Sequence, residues 1–141
     1  MKKTISLFLV LVLCLSLCAC GSAESQLSKD DLISNAITTN VSILQAAVYQ
    51  NKAKAKQDYC NKPIIVSGKA ILVEDDHVVI CDSQVCLDAY LSIDDLVKID
   101  TDSNITVVGI ISDIQDLDIS WGGTTFTFPH YIMESAFLVE E

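Results

Sequence analysis

From Pro63 onward, apolar residues recur at every second position, and β-branched residues are frequent among them. This alternation is typical of strands that bury one face and expose the other. A chain with this pattern must fold mainly as a β-sheet. The predicted strands are Ile64–Val73, His77–Cys81, Val85–Leu91, Asn104–Ile114 and Tyr131–Val139, with a further short strand at Phe126–Phe128.

One short helix is predicted between the third and fourth strands. Ser92 is placed to cap it, and Asp94 and Asp95 fall in the first turn of Ile93–Lys98, where carboxylates favour the helix dipole. Five strands with a helix in this position is the order of an OB-fold, a five-stranded Greek-key barrel. A different β-barrel and an α+β sandwich are the alternatives. The segment Asp116–Thr124 is predicted to be a loop.

The residues before the barrel are predicted to be helical. In 28–59, apolar residues recur at three- and four-residue steps after a candidate N-cap at Ser28, which indicates an amphipathic helical region. Three poor helix formers at Thr38–Asn40 mark an expected interruption. The fold class is therefore mainly β with an N-terminal helix, and the barrel is predicted to occupy 60–141.

The first nineteen residues have the pattern of a signal peptide. Lys2 and Lys3 precede an apolar run, Ile5–Leu17, that is too short for a permanent membrane span. Leu17-Cys18-Ala19-Cys20 resembles the lipobox of bacterial lipoproteins. That resemblance implies acylation of Cys20 and a location on the extracytoplasmic face of a bacterial membrane. The small and polar residues that follow Cys20 predict a flexible tether at 20–27. An ordinary cleaved signal peptide with an incidental Cys is the alternative.

Charge limits the partners that such a chain can bind. Excising 1–19 removes Lys2 and Lys3 but no acidic residue, so the formal charge falls from −10 to −12, and the chain contains no Arg. Nucleic-acid binding relies on clustered Lys and Arg, so a nucleic-acid partner is not expected. The predicted partners are the membrane, through the lipid, and an envelope protein or peptide.

The junction of helix and barrel carries a family resemblance. Residues 51–68 (NKAKAKQDYCNKPIIVSG), the fourth-strand segment Asn104–Gly109 and the last strand Tyr131–Val139 are similar to the tRNA-anticodon-like OB-fold family of bacterial lipoproteins. The resemblance covers roughly Asn51–Val139. It implies an OB-fold at the cell envelope, with no established activity.

Three cysteines remain after Cys20. Cys81 and Cys86 can face each other across a hairpin, either as a disulfide or as two buried thiols, and the sequence leaves both open. Cys60 is predicted to be a packed thiol at the helix end. Two His and a Cys-x4-Cys spacing do not match a zinc site, and no metal or cofactor is predicted.

The acidic and histidine residues suggest no catalytic centre. Asp113, Asp116 and Asp118 form either a weak divalent site or, as the favoured interpretation, a hydrated acidic loop. His77 is predicted to be a surface strand residue and His130 a loop residue. Neither His lies beside a nucleophile motif, and there is no Gly-rich phosphate loop, so no catalytic residue is predicted.

Aromatic residues near the last strand form the one candidate binding loop. Trp121, Phe126, Phe128 and Tyr131 fall in or after the predicted loop that joins the last two strands, and OB-folds commonly bind through this loop. The sequence thus predicts a non-catalytic binding module of unknown ligand. The alternatives are an envelope assembly protein without a small ligand, an enzyme with an unrecognised site, and an oligonucleotide-binding domain.

Overall fold

The computed structural model describes residues 27–82 and 85–139. These residues form three helices and six strands. In chain order the elements are α1 (Lys29–Asn35), β1 (Ile37–Asn40), α2 (Val41–Tyr59), β2 (Pro63–Val73), β3 (His77–Asp82), β4 (Val85–Tyr90), α3 (Ile93–Leu96), β5 (Asn104–Trp121) and β6 (Thr124–Leu138). The signal peptide, Cys20, the tether up to residue 26 and the Ser83–Gln84 turn lie outside the described residues.

Five of the strands form a closed ring of hydrogen-bonded neighbours. The order is β2–β3–β4–β6–β5, and β5 pairs again with β2. Strand β2 closes the ring because it is long: Pro63–Lys69 pairs with β5, and Lys69–Val73 pairs with β3. The β4–β6 pair is parallel, whereas the other neighbours in the ring are antiparallel.

The sixth strand lies inside the region predicted to be helical. Strand β1 pairs in parallel with β2, with Ile37 opposite Ile64 and Asn40 opposite Ser67. The predicted interruption is therefore a strand, because Thr38 and Thr39 favour extended backbone and β2 offers them a free edge. Helix α1 before it is capped by Ser28, whose hydroxyl accepts a hydrogen bond from the backbone N–H of Asp31.

Helix α2 covers the interior of the ring. Its side chains Val41, Leu44, Val48 and Ala55 are buried in the single apolar core. The helix is kinked at Asn51, whose backbone is extended and whose side-chain oxygen accepts a 3.0 Å hydrogen bond from the N–H of Lys54. The first half of α2 therefore packs against the core, and the second half keeps Ala55 in the core while Lys52 and Lys56 reach carboxylates of β5.

The predicted 116–124 loop is instead the end of a long β-hairpin. Strand β5 continues to Trp121, and β6 begins at Thr124, so that only Gly122 and Gly123 form the turn. Both glycines have positive φ, as a tight two-residue hairpin turn requires. The predicted Phe126–Phe128 and Tyr131–Val139 strands are likewise one continuous strand, β6.

The first described helix, α1, lies against the end of β6 that is farthest from this turn. The ammonium group of Lys29 in α1 donates a 2.6 Å hydrogen bond to the carbonyl oxygen of Leu138, the last residue of β6. Helix α1 is thus fixed at the end of β6 opposite to the Gly122–Gly123 turn.

Candidate binding face

Strands β3, β4 and β6 place their alternate side chains on one exterior surface of the ring. Buried residues such as Ile80, Leu87 and Met133 point inward, so the neighbours of these residues in sequence point outward. We call the exterior surface formed by His77, Tyr90, Asp88 and His130 the outer face. These four residues share one face by register, because His77 pairs with Tyr90 and Cys86 pairs with His130.

The two histidines of the outer face converge on one carboxylate. His130 Nε2 lies 2.7 Å from Asp88 Oδ2, and His77 Nε2 lies 4.0 Å from the same oxygen. His77 Nδ1 lies 2.7 Å from Asp76 Oδ1, and its ring packs against Tyr90 with centroids 5.1 Å apart. The outer face therefore carries a chain of polar contacts from Asp76 through His77 and Asp88 to His130.

Two atoms of this cluster have unused hydrogen-bonding capacity. Among the described residues, Asp88 Oδ1 and His130 Nδ1 are buried side-chain atoms without a hydrogen-bond partner. His130 is not the loop residue predicted from the sequence. It lies in β6, only 16% of its side chain is exposed, and Asp88 holds it in place.

Cys81 and Cys86 form a disulfide on the same surface. Their sulfur atoms are 2.01 Å apart, and the residues are directly opposite each other in the β3–β4 pair. The bond joins the two strands close to the base of the cluster, because Cys86 is also the register partner of His130.

The hairpin projects beyond the ring and is amphipathic. From Asp113 onward, β5 pairs with β6 alone among the described strands. We call the segment Asp116–Pro129 the hairpin arm. One face of the arm is polar: the hydroxyl of Thr127 donates to Asp118, and Ser120 shares a 3.0 Å hydrogen bond with Thr125.

The opposite face of the arm is apolar and largely uncovered. Leu117 pairs with Phe128 and Ile119 with Phe126, and directly opposite residues share a face. Leu117, Ile119 and Phe126 are 45–48% exposed, and the rings of Phe126 and Phe128 stack with centroids 6.4 Å apart. Because Phe126, Phe128 and His130 alternate along β6, this apolar face continues directly into the outer face.

The four aromatic residues predicted for a binding loop do not act together. The prediction of a binding role for Tyr131 is wrong, because Tyr131 is fully buried and its hydroxyl donates a 2.7 Å hydrogen bond to the carbonyl oxygen of Leu44. It therefore anchors α2 to the sheet. Phe126 and Phe128 lie on the arm, and the backbone of Trp121 ends β5 opposite Thr124, while its side chain is outside what the structure describes.

The arm and its base hold the acidic residues that were candidates for a divalent site. Lys56 of α2 pairs with Asp113 at 2.7 Å, and Lys52 pairs with Asp116 at 2.7 Å. The hydrogen bond with Lys56 holds the pKa of the Asp113 carboxyl below its usual value. These carboxylates lie on a strand rather than in a loop, and two of them fasten α2 to β5.

The free thiol of Cys60 lies near this ion pair at the end of α2. Burial raises the pKa of the Cys60 thiol, the nearby Asp113 carboxylate raises it further, and Lys56 lowers it. Its half-buried position agrees with the packed thiol predicted from the sequence.

A separate cavity of about 580 Å³ lies where β1 and α2 meet β2. Its volume is that of a small-molecule pocket. The charged groups around it are engaged within the chain, since Lys69 pairs with Asp102 at 2.8 Å and the Ser42 hydroxyl donates to Asp82. The apolar face of the arm differs from this cavity in presenting three large apolar side chains that are 45–48% exposed.

These features define a class of protein: a mainly β module, closed by strand pairing, with an exposed apolar arm beside a histidine–carboxylate cluster. In the parts of the chain that the structure describes, none of the helices has the length and apolar character required to span a bilayer.

Comparisons with solved structures identify proteins of similar fold. One of them is the crystal structure of a "putative nucleic acid-binding lipoprotein" from Klebsiella pneumoniae, with a TM-score of 0.57 and 20% sequence identity over 80% of this chain and 98% of that one. At this identity the similarity is one of fold. No protein-family model matches the chain, and no curated protein matches it. Membership of the tRNA-anticodon-like family therefore stays a prediction.

Proposed function

We propose that this chain is a lipid-anchored extracytoplasmic OB-fold module that binds a polypeptide partner through the outer face and the hairpin arm, without catalysing a reaction. The observation that carries the proposal is the apolar face of the arm. Three large apolar side chains, Leu117, Ile119 and Phe126, lie together there and are 45–48% exposed.

The strand order supports the OB-fold assignment. The ring has five strands, is closed by the long strand β2, and contains one parallel pair, β4–β6. With a short helix between β4 and β5, this arrangement is typical of a small Greek-key barrel. In OB-folds the usual binding surface combines the second and third barrel strands with the loop between the fourth and fifth. These positions correspond here to β3, β4 and the hairpin arm.

Charge favours a polypeptide over a polyanion. Strands β3, β4, β5 and β6 contain no Lys or Arg, whereas the outer face and the arm carry several carboxylates, Asp88, Asp116 and Asp118 among them. Phosphate groups approaching this surface would meet like charge. Large apolar side chains with adjacent aromatic rings are instead the usual anchors of protein–protein contacts.

Nucleic acid is the second candidate, because the similar structure from Klebsiella pneumoniae is described as nucleic acid-binding. The stacked rings of Phe126 and Phe128 are the feature of this chain that fits such a role. Binding of this kind would have to show the steep salt dependence of phosphate contacts.

The membrane anchor rests on the lipobox-like sequence at Leu17–Cys20. It is tested by growing cells with radiolabelled palmitate and comparing the chain with its Cys20→Ser variant. Label in the first protein and not in the second supports acylation of Cys20. An unlabelled, secreted wild-type protein contradicts it.

The binding role is tested by site-specific photo-cross-linking in intact cells. A photoreactive amino acid at Phe126, on the apolar face, is compared with one at Thr125, on the opposite face of the same strand. We expect the Phe126 position to give a defined cross-linked protein, and an Ile119→Ser substitution to reduce the yield several-fold. Equal yields from the two positions would contradict a binding role for the apolar face.

Direct nucleic-acid binding is measured in parallel with the purified lipoprotein. Retention on single-stranded DNA or RNA that falls steeply with salt would favour the nucleic-acid alternative. Absent or salt-independent retention, together with a cross-linked protein at Phe126, supports the polypeptide partner.

A further inference from the structure

The hairpin arm has a strand edge that no described strand covers. Strand β5 pairs with β2 only as far as Ile110, and the N–H of Asn61 donates to the carbonyl of Ile111. Beyond that point, the side of β5 away from β6 has no strand partner among the described residues. Exposed edges of this kind are templates for pairing with another extended chain.

The register shows which backbone groups point out of this edge. Trp121 and Thr124 flank a two-residue turn and so form a hydrogen-bonded pair. Hydrogen-bonded and non-hydrogen-bonded pairs alternate along an antiparallel ladder, and the register is regular from Asp113 to Trp121. Ser120, Asp118 and Asp116 therefore direct their N–H and C=O groups away from β6.

The edge on the other side of the arm is interrupted. Pro129 is opposite Asp116 in a non-hydrogen-bonded pair, so its backbone nitrogen points out of the β6 edge, and proline has no N–H to donate. Among the described residues, the arm thus has one edge without a strand partner, approached only at Asp116 by the Lys52 side chain, and one edge interrupted by proline.

Side chains beside the open edge differ between its two faces. An added strand would place alternate residues beside Leu117 and Ile119 on the apolar face. Its other residues would lie beside Asp116 and Asp118 on the polar face, where Asp116 already pairs with Lys52 and Asp118 accepts from Thr127. A matching strand alternates apolar and basic side chains.

We infer that the β5 edge of the hairpin arm binds an extended polypeptide segment in which apolar residues alternate with Lys or Arg. This inference rests on the proposed function, since it names the chemistry of the partner of the same arm. Backbone hydrogen bonds to Asp116, Asp118 and Ser120 supply affinity, and the alternation of side chains supplies specificity.

Synthetic peptides test the pattern directly. The acylated full-length protein in detergent micelles is titrated into a fluorescein-labelled eight-residue peptide that alternates valine and lysine. One control is a block peptide of identical composition and charge, in which all the valines precede all the lysines. The other control alternates valine and glutamate. By fluorescence anisotropy we expect the alternating valine–lysine peptide to bind at least ten-fold more tightly than either control.

Matched proline variants test the edge. Ser120→Pro removes an outward N–H from β5, whereas Thr125→Pro removes one from β6 at the register partner, and both lose the Ser120–Thr125 hydrogen bond. We expect Ser120→Pro to weaken binding of the alternating peptide at least ten-fold and Thr125→Pro to change it less than two-fold. In the wild-type protein, the peptide should also slow hydrogen exchange at the Asp118 and Ser120 amides.

Two outcomes would overturn the inference: equal affinity for the alternating and block peptides, or no peptide protection of the β5 amides. Neither outcome affects the photo-cross-linking result at Phe126. A cross-linked partner that survives Ser120→Pro would leave the binding role intact while removing strand pairing as its mechanism.

Discussion

The hydroxyl of Tyr131 donates a hydrogen bond of 2.7 Å to the carbonyl oxygen of Leu44, linking the centre of β6 to the first half of α2 inside the core. Removing it with Tyr131→Phe should cost about 0.5–1.5 kcal/mol of unfolding free energy, since the ring still fills its site. Urea denaturation followed by circular dichroism checks this value. An unchanged midpoint would contradict a contribution from the hydrogen bond.

Burial of the Tyr131 phenol should also make the free energy of unfolding depend on pH in the alkaline range. Burial raises the pKa of the Tyr131 phenol, so the folded state favours the protonated form. The resulting stabilisation is complete below the ordinary tyrosine pKa of about 10 and is lost as pH rises above it. We expect the free energy of unfolding to fall more steeply between about pH 10 and 11 in wild-type protein than in Tyr131→Phe. Parallel curves would refute the prediction.

Gly109 lies at a register shift in the β5–β6 pair, between Val108 and Ile110. A Cβ atom at this position would lie 2.7 Å from Met133 Cγ and 3.0 Å from the backbone Cα of Ala136. Because the backbone cannot yield as a side-chain tip can, Gly109→Ala should destabilise the fold by about 1–3 kcal/mol. Gly123→Ala, where the added atom meets nothing within 4 Å, is the control for backbone strain alone. Chemical denaturation compares the two.

The disulfide between Cys81 and Cys86 closes a loop with a sequence separation of five. Such a short loop restricts the unfolded chain only slightly, so reduction should cost about 2 kcal/mol or less. The melting temperature should fall by several degrees in dithiothreitol for the wild type and stay constant for Cys81→Ser/Cys86→Ser. A reductant-insensitive wild type would argue against the bond.

Cys60 should react slowly with thiol reagents, because burial and the Asp113 carboxylate raise its pKa. Asp113→Asn removes the second influence and should accelerate alkylation by iodoacetamide at pH 8. Mass spectrometry of the peptide containing Cys60 measures the rate without interference from other cysteines. Asp118→Asn, on the arm, serves as the control; equal acceleration in both variants would exclude a local effect of Asp113.

Local sequence signals predicted the ordinary elements well. Alternation located β2, β3 and β4, and Ser92 with its acidic neighbours located the short helix α3, whose cap accepts a hydrogen bond from the N–H of Asp95. These features depend on residues close in sequence, which is why a single chain reveals them.

The missed elements depend on partners distant in sequence. Strand β1 forms because it pairs with the free edge of β2. Its four residues, which lie between two helices, are too few to show the alternation that predicts a strand. The arm was interpreted as a loop because its glycines and polar residues suggest a break. The Gly122-Gly123 pair between two alternating segments was itself the signal of a two-residue hairpin turn.

The candidate site was predicted only in part. Phe126 and Phe128 are predicted to lie in a binding loop and instead lie on the arm part of β6, whereas Tyr131 follows the inward phase of the same strand and is buried. The convergence of His77 and His130 on Asp88 joins three strands, and nothing in their spacing indicates it. Predicting this cluster requires knowing which side chains of β6 point into the core and which point outward.

The hydrogen bond from Lys29 to the carbonyl oxygen of Leu138 fixes α1 at one end of β6, and so fixes the end of the module that a lipid on Cys20 would adjoin. The seven Cα–Cα steps from Cys20 to Leu27 can span at most about 25 Å, whereas the fifteen residues of β6 extend over roughly 50 Å before coiling shortens them. For a protein acylated at Cys20, the lipid would therefore attach near the α1 end of β6 and not near the Gly122–Gly123 end. A ligand bound along the arm would leave this point of attachment uncovered.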